Sequence, residues 1–140
     1  NFEKIGFMIV KKKIAENSLY SELKLNRTYV RLEAIFKHKD GILKDYETSD
    51  GNFISVYTLT AEELVNEKIN AYLNRLKIRD LHDIFFLLKY VNDKGRIKNN
   101  LQKLIKNFKK PIDENELKVL ILEGLVSSTE KMLEYIKNHA

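Results

Sequence analysis

The feature that most restricts what this chain can become is a change of period at Thr60. Before it, apolar and polar residues alternate with period two, the pattern of half-buried strands; after it, apolar residues recur three and four apart, the pattern of helices. The strand candidates are Phe7 to Ile14, Leu19 to Leu25, Tyr29 to Lys37, Ile42 to Tyr46 and Phe53 to Leu59. Asn17-Ser18, Asn26-Arg27, Asp40-Gly41 and Asp50-Gly51 punctuate them as turns. Strands first and helices second implies an α+β fold rather than alternating parallel units. The expectation is a mainly antiparallel sheet of four to five strands followed by a bundle of about five helices. Residues 1–59 then form a strand-rich part and 60–140 a helical part, packed as one compact unit.

Thr60-Ala61-Glu62-Glu63 fits a capping box: the threonine hydroxyl accepts from the first-turn amides while Glu63 reaches back. Leu64, Val65, Ile69, Tyr72, Leu73 and Leu76 then continue at helical spacing, predicting a helix over about 61–76. A second helix is expected from Arg79 or Asp80 to Asn92. In the next, Ile97, Leu101, Leu104, Ile105 and Phe108 form one stripe that ends before Pro111, because a residue preceding proline avoids the helical region. Asp113 to Leu125 and Thr129 to His139 are expected to be helices as well.

Composition removes several classes of function. The 140 residues include no cysteine, so there are no disulfides, thiolate metal sites or cysteine nucleophiles. The three histidines, His38, His82 and His139, are scattered. The apolar runs Ile84 to Leu88 and Val119 to Leu122 fall far short of the roughly 18 residues of a membrane span. The N-terminus lacks the features of a signal peptide, which leads to a cytoplasmic assignment. The first residue, Asn1, suggests a chain that begins inside a longer one, since an initiator methionine is normally retained before a residue of that size. A net charge of +5 favours anionic partners, although lysine-rich composition also follows from an AT-rich genome or a heat-adapted host.

Three places hold charge where charge is costly. Lys68, four after Leu64 and three after Val65, lies at the edge of an apolar stripe, where it either flanks the stripe or snorkels to the rim of a cleft. In LKIRDLHDIFFLL, residues 76–88, Arg79, Asp80, His82 and Asp83 crowd against five apolar residues. Capping by Asp80, complementing of the helix dipole by Asp83 and pairing of Arg79 with a neighbouring carboxylate would explain them; so would a site. Glu33 is a mid-strand carboxylate on the more polar face of its strand, either solvated or aimed at a cation. Lys98, Lys103, Lys106, Lys109 and Lys110 are a further candidate patch for RNA or a protein partner, or else a solvated helix face.

These residues coincide with a family pattern. The segment LTAEELVNEKINAYLNRLKIRDLHDIFFLLKYV resembles the C-terminal signature of the AbiEii/AbiGii-toxin-like nucleotidyltransferases, within the polymerase-beta-like superfamily. The matching residues are Glu63, Lys68, Arg75, Arg79, Asp80 and Asp83, with Ile84 to Leu88 as the apolar run; the strand YVRLEAIF places Glu33 at the family's third-carboxylate position.

The resemblance implies an incomplete nucleotidyltransferase-like fold and magnesium-dependent transfer of NMP from an NTP to an RNA (tRNA) or protein acceptor, of toxin–antitoxin or phage-defence type. Glu33 would ligate metal or act as base, Lys68 and Arg79 would bind the triphosphate, and Asp80 would orient or deprotonate the acceptor. Asp83, Glu63 and Arg75 would support them. An antitoxin partner is implied too. The chain departs from the pattern upstream: its glycines, Gly6, Gly41, Gly51, Gly95 and Gly124, are never doubled, and no Asp-x-Asp precedes Glu33. With one of three metal carboxylates, the chain is expected to be inactive alone and to bind neither Mg2+ nor NTP tightly. The alternative is a non-catalytic remnant, or an RNA- or protein-binding module with a basic helical face.

Overall fold

The computed structural model describes residues 2–39, 41–121 and 127–140. The chain divides into two compact units, 1–40 and 41–140, so the change of period at Thr60 falls inside the second.

In the first unit, β1 (Met8–Ala15), β2 (Ser18–Leu25) and β3 (Thr28–Ile35) form an antiparallel sheet in the order β1-β2-β3, preceded by a 3-10 turn over Phe2–Ile5. Asn26 sits at φ 53° in the two-residue β2–β3 turn, the left-handed backbone that such hairpins require and that asparagine tolerates. The resulting register sets Tyr20 opposite Glu33 and Glu22 opposite Arg31. Because paired residues share a face, Glu33 lies beside Arg31 and Tyr20 rather than beside Leu23, which is buried on the other side.

The second unit opens with a separate hairpin, β4 (Ile42–Glu47) and β5 (Phe53–Thr58), closed by Gly51 at φ 80°. The α+β order and all five antiparallel strands therefore stand, but the strands pair as two sheets of three and two instead of one sheet. Alternation identifies a strand without naming its neighbour.

Five α-helices follow among the described residues: α1 (Ala61–Arg75), α2 (Ile78–Leu87), α3 (Gly95–Lys106), α4 (Leu117–Leu120) and α5 (Thr129–Lys137). The core belongs to them. Val65, Ile69 and Tyr72 of α1, Leu81 and Ile84 of α2, Leu101 and Leu104 of α3 and Met132 and Ile136 of α5 are fully buried in one cluster. The capping at α1 is as expected in its first half: Thr60 Oγ1 accepts from the Glu63 N–H at 3.3 Å.

Two expectations about the helices change. Asp80 is not the cap of α2. The helix starts at Ile78 after Lys77, and its first amide is met from outside, by Asp113 Oδ1 at 2.7 Å, while Lys77 Nζ lies 3.2 Å from Asp113 Oδ2. Asp113→Ala is therefore expected to cost about 1–2 kcal/mol, measured as a lower urea midpoint, since it orphans a helix-start N–H. The continuous helix over 113–125 is also replaced. A 3-10 turn at Glu114–Glu116 runs into the short α4, and Ile121 is already extended; the remainder, 122–125, lies outside the described residues. An unbroken apolar run such as VLIL carries no period from which its length as a helix can be judged.

A buried ion-pair site between the first two helices

Only Leu76 and Lys77 separate α1 from α2, so the chain must reverse within two residues. Leu76 achieves this in the left-handed conformation, φ 51°, its N–H donating to the Tyr72 carbonyl at 2.8 Å. A leucine there costs roughly 1–2 kcal/mol. Its side chain packs on the core, and its carbonyl accepts the Ile112 N–H at 3.0 Å, contacts that help to offset the strain.

The tight reversal lays the first turns of α2 against the last turns of α1. Lys68 and Arg75, seven apart on α1, share one face; Asp80 and Asp83, three apart on α2, face them. Arg75 grips Asp80 with both arms of its fork, Nε to Oδ2 at 2.6 Å and Nη2 to Oδ1 at 2.7 Å. Lys68 Nζ lies 3.9 Å from Asp80 Oδ1 and in direct contact with Asp83 Oδ2. Hydrogen bonding to Asp80, ahead of the opposing effect of burial, raises the Arg75 pKa above its usual value.

Burial separates the four residues into roles. The Asp80 side chain is fully buried, whereas those of Lys68, Asp83 and Arg75 are 34%, 38% and 45% exposed. A buried carboxylate survives as a charge only when opposite charge and hydrogen bonds replace its water. Asp80 has both, but its oxygens are occupied and turned inward. That geometry suits a positioning residue. Lys68 sets its ammonium between this buried carboxylate and the partly exposed Asp83.

The remaining sequence candidates lie elsewhere. Arg79 is exposed on α2, and the arginine that holds Asp80 is Arg75. Glu63 pairs with Arg96 of α3, Oε1 to Nη2 at 3.3 Å. His82 stacks against Phe86, ring centres 6.5 Å apart, as a packed imidazole. Glu33 stands in the first unit on β3, exposed, 3.9 Å from Arg31 Nε. Among the described residues no three His, Asp or Glu side chains are grouped so as to hold a metal ion.

Two structural carboxylates escaped sequence reasoning: Asp113, described above, and Glu62. Glu62 is buried beneath the turn after α2, Oε1 accepting from Asn92 N–H at 2.8 Å and Asp93 N–H at 3.0 Å. The Asp93 amide chiefly, against burial, holds its pKa down at about 2. A buried carboxylate thirty residues from its partners leaves no local signal; within the capping box Glu62 is only the residue beside Glu63.

No curated protein and no solved structure is recognisably similar to the chain. Residues 15–134, however, match the family model described as "Nucleotidyl transferase AbiEii toxin, Type IV TA system". That span contains every residue of the ion-pair cluster as well as Glu33. The chain belongs to the AbiEii nucleotidyl transferase toxin family of type IV toxin–antitoxin systems.

Proposed function

We propose that the α1–α2 cluster is the phosphate-holding wall of a nucleotidyl transfer site, in which Lys68 meets the triphosphate of an NTP. The observation that supports this most is the convergence of Lys68, Arg75, Asp80 and Asp83, four residues of the family pattern, with the Lys68 ammonium set between a buried and a partly exposed carboxylate. A compact ammonium suits a triphosphate, on which charge builds as pyrophosphate leaves. Asp83, partly exposed, yields Lys68 to phosphate, while Asp80, clamped by Arg75, keeps the lysine stem in place. Arg79, exposed at the start of α2, is a second phosphate contact.

The reaction is NMP transfer to an RNA or protein acceptor, and an antitoxin partner is part of the same reading. Glu33 is the chain's contribution to metal binding in the family pattern. It is one carboxylate of the three in that pattern, so no step is assigned through magnesium and the chain by itself is expected to transfer no nucleotide.

The test is a titration of the isotope-labelled chain with ATP or GTP in the absence of divalent metal, followed by NMR. Shifts are expected around Lys68 and the start of α2, and Lys68→Gln should weaken them by about tenfold, near the ~1.5 kcal/mol of one charge-assisted contact. Binding equally strong in Lys68→Gln would remove Lys68 from the site.

A further inference from the structure

A concavity lies on the other side of α1. On a helix of 100° per residue, Asn70 and Asn74 point roughly 160° and 120° away from Lys68. They face a cavity of about 740 Å³ shared with the end of α3, whose rim carries Lys103, Lys106, Lys109 and Asn107. Leu73 and Phe108 supply its apolar lining.

Its electrostatics are one-sided. No carboxylate lines the cavity, and among the described residues none forms an ion pair with Lys103, Lys106 or Lys109. Asn70 and Asn74 make no side-chain hydrogen bond among the described residues, so their amides are available to a ligand. The C-terminal dipole of α3 accounts for Lys103 and Lys106 being tolerated there. It does not account for a third lysine brought in from beyond the helix.

Lys109 is held there by tertiary contacts. Its carbonyl accepts the Tyr72 hydroxyl at 2.6 Å, and Ile112 N–H is bonded to the Leu76 carbonyl, which ties the whole 107–112 segment to α1. Three lysines lining one concavity without a carboxylate among them give it a positive field that favours whatever anion enters.

From this we infer a binding site for a ligand carrying two or more adjacent phosphates, held by Lys103, Lys106 and Lys109 with Asn70 and Asn74 as neutral donors. The volume falls within the range of small-molecule sites. Clustered phosphates occur both in free polyphosphates and in the backbone of RNA, and the two sources are separable by experiment. The site shares no residue with the Lys68 cluster and does not depend on the function proposed for it.

The test uses the whole chain with two probes at low salt, inorganic tripolyphosphate and a short single-stranded RNA. Lys103→Ala/Lys106→Ala is compared with Lys98→Ala/Lys137→Ala, an equal loss of charge at exposed lysines outside the cavity. For at least one probe the first pair should raise Kd roughly tenfold and the second less than about twofold, with affinity falling as salt rises. Response to tripolyphosphate identifies the small ligand; response to RNA alone identifies the backbone. The side-chain amide signals of Asn70 and Asn74 should move with the bound probe. Equal losses in the two double variants would reduce the cavity to diffuse surface charge, and no binding of either probe would overturn the proposal.

Discussion

Arg75→Ala is expected to destabilise the protein by about 3 kcal/mol, the low end for breaking a buried pair, and to lower the urea midpoint without changing the slope. The cost falls on Asp80 rather than on the arginine. Arg75, about half exposed, is well hydrated in the unfolded chain and loses little; Asp80 is fully buried and would keep only Lys68, 3.9 Å away, as a counter-charge. Asp80→Asn should cost less, because Arg75 can turn back to water. Arg75→Lys should recover only part of the loss, since an ammonium cannot make the two parallel bonds of the fork. Nucleotide contact should weaken as well, because an Asp80 deprived of Arg75 competes with phosphate for Lys68. An Arg75→Ala protein within 0.5 kcal/mol of wild type would mean that the fork contributes little beyond its geometry.

The acid limb of stability is expected to be governed largely by Glu62. Its pKa falls from 4.5 to about 2 on folding, so the folded state is favoured above pH 4.5 and that contribution is lost as pH falls toward 2. The difference corresponds to ~3 kcal/mol for a residue only 5% exposed. Glu62→Gln keeps an oxygen for the Asn92 and Asp93 amides but removes the charge. It should lower stability at neutral pH by about 1.5–3 kcal/mol and flatten the acid limb between pH 5 and 2. Denaturant melts at closely spaced pH values measure both; an unchanged acid limb in Glu62→Gln would place the dependence on other carboxylates, with Asp113 the first to examine.

Several elements were legible because their cause is local. Strands β1 to β5 announce themselves by alternation and by turn residues such as Asn26, and α1 by Thr60 and the Val65-Ile69-Tyr72 stripe. The family pattern was legible as well, being a matter of residue types in order, and residues 15–134 bear it out. Less visible were the partners. The division of the strands into two sheets, the short α4 and the start of α2 at Ile78 depend on which segment lies beside which, and alternation or spacing does not encode that.

The same distinction runs through the site. The sequence by itself determined that Lys68 and Arg75 share a face of one helix and Asp80 and Asp83 a face of the next, because spacing of seven and of three fixes direction on a helix. It also determined that Asp80 stands within a few residues of a buried apolar run. Only the tertiary structure decided that the reversal at Leu76 presses those faces together, that Arg75 rather than Arg79 takes Asp80, and that Asp113 caps α2 from thirty-five residues away. The physical reason is that a buried carboxylate goes to whichever donor can reach it with the least loss of hydration. Reach is a property of packed helices, not of sequence spacing.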